Sequence, residues 1–229
     1  MEHAQGLPVA ALGADARSTF IWRTYGHVAA AILGFAAIQS YLFSSGLAAT
    51  IAQSMSGVNW LLILGAFMVV GWLATHVSHT AQSKAAQYAA LAGFVVAEAI
   101  IFVPLLYVAV SVAPDVIESA VFVTLLGTAG LTAVAVMTRK DFSFLRGILL
   151  WGGVIALVAI AASVLFGFEM GTWFSVAMIG FAGAAVLYDT SNILHHYPED
   201  RYVGAALALF ASIALMFWYV LRLFMGSRD

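Results

Sequence analysis

Apart from Glu118 at the very start of its run, two carboxylates fall inside long apolar runs of this chain: Glu98 in AEAIIFVPLL and Asp189 in VLYDTSNILHHY. A carboxylate at the centre of a bilayer costs about 2.5–3.5 kcal/mol on insertion scales, so such a residue pairs, protonates or faces water. At about 1.5 Å per helical residue, Glu98 lies close to mid-membrane and Asp189 one or two turns inside the end of its run. His76 and His79, in ATHVSH, close another run. Three residues apart, they share a helical face, and His76 reaches a depth similar to that of Asp189. Several chemistries are open to this set. Asp189 reads either as a titrating latch on a polar path or as an interfacial acid bonded to Thr190 or Asn192. Glu98 reads either as a functional acid or as a neutral one bonded to a neighbouring helix. The histidines titrate near neutrality, or sit quietly at the interface. With a carboxylate from another span they would make a weak zinc site. His195 and His196 are adjacent and point apart, which suits a loop better than a chelate.

The elements that position these residues follow from composition. The chain has 229 residues, 63% hydrophobic and 9% charged; its mean hydropathy is +1.00. A soluble domain carries about 25% charged residues, so this chain reads as an integral membrane protein. A bilayer core of about 30 Å takes roughly 20 apolar residues as helix. Seven runs qualify: Tyr25–Ser45, Val58–Ser78, Ala86–Val110, Val116–Thr138, Phe144–Phe166, Thr172–Asn192 and Tyr202–Phe224. Continuous apolarity favours helices over a barrel. Pro104 interrupts the third run and predicts a kink.

Lys and Arg set the orientation. Arg17, Arg23, Lys84, Arg139, Lys140, Arg146 and Arg201 fall at alternate connections, which places the N-terminus in the cytoplasm. Arg222 and Arg228 oppose that arrangement, yet the seventh run is long enough to cross. The division expected is a flexible cytoplasmic segment, Met1–Ala16, and a seven-helix membrane domain over 17–229.

Several functions are excluded. With no cysteine, disulfides, thiolate metal sites and cysteine nucleophiles are absent. The net charge of −2 leaves no nucleic-acid footprint. Both lysines, Lys84 and Lys140, lie in connections, so a retinal Schiff base has no partner inside the bundle. Neither a phosphate-binding G-x-x-x-x-G-K-[ST] loop nor H-E-x-x-H occurs. No enzyme is expected.

Four stretches, in order, carry a likeness. They are RSTFIWRTYGHVAAAILG, AEAIIFVPLL, MTRKDFSFLRGIL, and YDTSNILHHY followed by AALALF and YVLRLF. From about Arg17 to Phe224 the chain resembles the Bax inhibitor-1, or transmembrane Bax inhibitor motif, family. The resemblance implies an all-α bundle of seven transmembrane helices, six surrounding a central seventh. It also implies a pH-sensitive calcium leak in which two aspartates, on spans six and seven, share a proton, with a basic residue on span two able to pair with the first. Asp189 matches the span-six aspartate. The second departs: its place falls on Ser212, and no acid occurs from Tyr202 to Phe224. Span two offers His76 rather than arginine.

Two carboxylates a few ångströms apart cannot both ionise, and a serine cannot supply that repulsion. The expectation is therefore a cation leak with weakened acid gating. Asp189, Ser212, Glu98, His76 and His79 are its ion-path or pH-sensing candidates, and calcium is its permeant ion rather than a bound cofactor. Asp189 and Glu98 are the weak candidates for metal contact. The alternative is a non-transporting modulator that binds another membrane protein, such as a membrane-bound protease. Either protein would sit as a multi-pass chain in a bacterial inner membrane.

Overall fold

The computed structural model describes residues 7–226. Met1–Gly6 and Ser227–Asp229, and with them Arg228, lie outside the described residues. Eight α-helices follow one another: α1 (Ala14–Ser44), α2 (Leu47–Ser56), α3 (Trp60–Thr80), α4 (Lys84–Val112), α5 (Asp115–Thr138), α6 (Leu145–Phe166), α7 (Gly171–His195) and α8 (Tyr202–Gly226). Short 3-10 turns at Val9–Ala11 and Glu199–Arg201 precede α1 and α8. All helices but α2 are long and apolar enough to cross a membrane, giving seven spans.

Each predicted run is a helix, and the ends shift for local reasons. Helix α1 starts eleven residues before Tyr25 because the polar stretch ADARSTFIWR has no breaker between Gly13 and its apolar part. At 31 residues it is about 46 Å long, more than a bilayer core requires. Asn59 caps α3, its Oδ1 accepting from the Leu61 N–H at 2.9 Å. Pro104 is carried inside one continuous helix, α4. The Ser45–Gly57 connection holds the unforeseen α2, which tucks Ala48 against Leu42 and Val103.

The expectation of a flexible segment through Ala16 does not hold over residues 8–16. Val9 is fully buried, and its N–H donates to the Tyr197 carbonyl at 2.9 Å. Pro8 and Pro198 form an isolated bridge. The segment is a strap across the α7–α8 turn because its few apolar residues, Val9 and Leu12, enter the main core.

Helix α8 forms much of that core. It packs on α1, α3, α4, α5 and α7, whereas α6 is attached mainly through α7. In its most apolar stretch 72% of residues are buried, against 6–44% in the other spans. Its sequence, YVGAALALFASIALMFWYVLRLF, is apolar on every side, as a helix enclosed by others must be. Small residues admit close neighbours. A Cβ at Gly204 would stand 3.2 Å from the Ser78 carbonyl oxygen, so α3 and α8 touch there backbone to backbone. The outward faces are also greasy: Trp173 is 85% exposed and Met137 82%. Such faces suit lipid, not water.

Candidate functional site

Asp189 sits six residues before the end of α7, about 9 Å inside it. Helix α7 makes its largest interface with α8, and the buried Ala182, Gly183 and Val186 let the two helices approach. Asp189 is thereby turned inward and only 8% exposed. The Ser212 hydroxyl of α8 donates to its Oδ2 at 2.6 Å. The aspartate is shielded from lipid beside the buried helix, and the matched serine is its hydrogen-bond partner.

Other hydroxyls crowd the same junction. The Tyr25 hydroxyl, from α1, faces Thr190 of α7 and Thr132 of α5, and lies within electrostatic reach of Asp189. Tyr197, in the α7–α8 turn, lies within the same reach. Burial raises its phenol above the ordinary value. Of these partners only Thr190 was singled out in the sequence.

The basic residues that set the orientation also tie helix ends together. Arg17 donates to the Leu194 carbonyl at 3.2 Å, and Arg201 to the Ala81 carbonyl at 2.6 Å. Lys84 donates to the Asp200 carbonyl and lies over the Tyr202 ring. The α5–α6 connection docks through Asp141, whose carboxylate accepts from the Ser143 N–H at 2.9 Å and pairs with His196 Nε2 at 3.0 Å. Those contacts, the Ser143 amide first, hold its carboxyl down at about 2.

The remaining candidates are dispersed. Glu98 is 6% exposed and lines a cavity of about 610 Å³ between α3, α4, α6 and α8, away from Asp189. Among the described residues no hydrogen bond or ion pair holds its carboxylate. His76 faces outward and stacks on Trp72, with centroids 5.5 Å apart. His79 turns inward and stacks on Tyr197 at 5.6 Å. Thus the two histidines do not act as one face, and His76 does not meet Asp189. No three His, Asp or Glu side chains gather to hold a metal among the described residues, so the zinc arrangement has no geometry behind it.

The profile of the family described as inhibitor of apoptosis-promoting Bax1 matches residues 17–229. The chain belongs to the Bax inhibitor-1 family. Protein LIFEGUARD 4 of Arabidopsis thaliana is 27% identical over 223 residues, covering 93% of this chain and 87% of the relative. The modulator of FtsH protease YccA of Escherichia coli K12 is 33% identical over 117 residues, 50% of this chain and 53% of the relative. Bax inhibitor 1 of Schizosaccharomyces pombe is 31% identical over 116 residues, 47% and 41% respectively. The chain spans about half the length of the bacterial relatives that it matches. With its seven spans this member is a multi-pass membrane protein.

Proposed function

We propose that the protein is a cation leak held shut where Asp189 meets Ser212, with calcium as the candidate ion. The observation that carries the reading is the 2.6 Å hydrogen bond from Ser212 to Asp189, buried between α7 and α8. A carboxylate in so apolar a place attracts any cation that reaches it. In the closed form one of its oxygens is occupied by the hydroxyl, and α8 covers the approach. Calcium prefers six to eight oxygen ligands. A single acid with hydroxyls around it holds the ion weakly, which suits passage rather than storage. The basic connections support a cytoplasmic N-terminus. A relative from Escherichia coli O6:H1 bears the name inner membrane protein YccA, which supports that membrane as the location. The test is calcium uptake into liposomes loaded with indicator dye. Asp189→Asn should abolish the flux; undiminished flux would overturn the reading.

A second reading is a modulator of a membrane-bound protease, favoured by the name of the Escherichia coli relative. It expects no calcium flux from the pure protein, and a changed proteolysis rate when the protein is added to such a protease in one bilayer.

A further inference from the structure

Six buried side-chain atoms find no hydrogen-bond partner among the described residues: Tyr25 Oη, Gln39 Oε1, and the hydroxyls of Thr124, Thr128, Thr132 and Thr190. All six lie on α1, α5 and α7. Three are spaced four residues apart on α5 and so share one face over about 12 Å.

A membrane threonine ordinarily bonds back to the carbonyl four residues earlier. In this chain Thr24, Thr80 and Thr138 do so, at 2.9, 2.7 and 2.7 Å. Thr138 is on α5 itself. The other threonines of that helix therefore do not lack a carbonyl because of their helix; their hydroxyls are turned away from it. An unsatisfied hydroxyl in hydrocarbon costs several kcal/mol. Tyr25 lies against Thr132 and Thr190, so those three hydroxyls partly satisfy one another; Thr124, Thr128 and the Gln39 amide oxygen have no such neighbour among the described residues and are retained only if something supplies the missing partners.

The seam has two ends. Thr132 and Thr190 meet Tyr25 beside Asp189. At the other, Thr124 and Gln39 border a cavity of about 360 Å³ between α1, α4, α5 and α8 whose lining is otherwise almost wholly apolar. Gln39 is five residues from the end of α1, about 8 Å from the face opposite the basic connections. From Asp189 to Gln39 the track crosses most of the bundle.

We propose that this seam holds a file of water molecules and that the protein passes protons along it between Asp189 and the cavity. The inference rests on the reading of Asp189 as the gate and deepens it by naming a route and an ion. Water supplies the missing donors and acceptors, two to four per molecule. Each hydroxyl both donates and accepts. At each step one O–H bond forms as another breaks, so a proton arriving at one end displaces another from the far end and no charge remains on the threonines. Asp189 is the carboxylate that takes up or releases the proton at the basic end. Neutral hydroxyls relay protons well and replace a divalent ion's hydration shell poorly.

The test uses the purified full chain in liposomes containing a pH-sensitive dye, with valinomycin and potassium clamping the voltage. Acid is added outside and the initial rate is read. Thr128→Val should slow proton entry at least tenfold, Thr128→Ser should restore it, and Thr138→Val should leave it unchanged. Melting curves of each variant check folding, and Thr124→Val serves if Thr128→Val does not fold. Equal rates for the parent and the valine variants, or a parent no faster than empty liposomes, would overturn the proposal. Calcium uptake in parallel vesicles separates the two readings. Calcium flux lost in Asp189→Asn, with proton entry indifferent to Thr128, keeps the leak and discards the seam. Proton entry that depends on Thr128 without any calcium flux does the reverse.

Discussion

Replacing Ser212 with alanine isolates the latch. The change removes one oxygen and leaves the α8 backbone alone. In the closed bundle the Asp189 carboxylate would then have no hydrogen-bond donor among the described residues. A hydrogen bond to a charged group contributes about 1.5–3 kcal/mol. Its loss raises the free energy of the closed form, where the acid is 8% exposed. The open form, where water reaches the acid, changes little. At about 1.4 kcal/mol per tenfold, the closed-to-open equilibrium shifts by roughly 10- to 150-fold. If the leak rate follows the open population, the initial calcium uptake of Ser212→Ala liposomes should exceed the parent's by a factor in that range. Ser212→Thr, which keeps the hydroxyl, should stay near the parent. A Ser212→Ala rate within twofold of the parent, for protein with an unchanged melting temperature, would refute the claim that this hydrogen bond holds the path shut.

Three further outcomes are expected. Ser212→Asp places two acids where one proton must be shared, so calcium flux should respond to bulk pH more steeply than in the parent, read as uptake from pH 5 to 8. Gly204→Val drives a side chain toward the Ser78 carbonyl, 3.2 Å from where its Cβ would lie; overpacking of this kind costs about 1–3 kcal/mol, seen as a lower melting temperature in detergent. Asp141, held down at about 2, adds stability that is complete above the ordinary carboxylate value near 4 and fades as pH falls toward 2. Melting of the parent should therefore drop through that acid window, and the drop should shrink in Asp141→Asn.

The seven spans were legible because a bilayer imposes length and apolarity on each one. Helix α2 was not, because ten residues between Gly46 and Gly57 are too few to register as a span. Asp189 could be placed near the end of α7 by counting, and Ser212 by the order of the matching stretches. Their contact required the packing of α7 on α8, which no count supplies. The histidines show how spacing misleads. Residues three apart still differ by about 60° around the axis, enough to send His76 toward Trp72 on the outside and His79 inward to Tyr197. The α5 threonines were written plainly in TLLGTAGLT at four-residue spacing. What hid them is that a threonine ordinarily satisfies itself; only the structure distinguishes Thr138, which does, from Thr124, Thr128 and Thr132, which do not.

The span most enclosed by the others is also the one that follows all of them along the chain. During synthesis the earlier helices therefore enter the bilayer around a slot whose occupant has yet to leave the ribosome. Final consolidation waits for α8 to arrive. A ribosome stalled near Tyr202 would leave a half-built cradle with its lining turned to lipid, a natural substrate for membrane quality control.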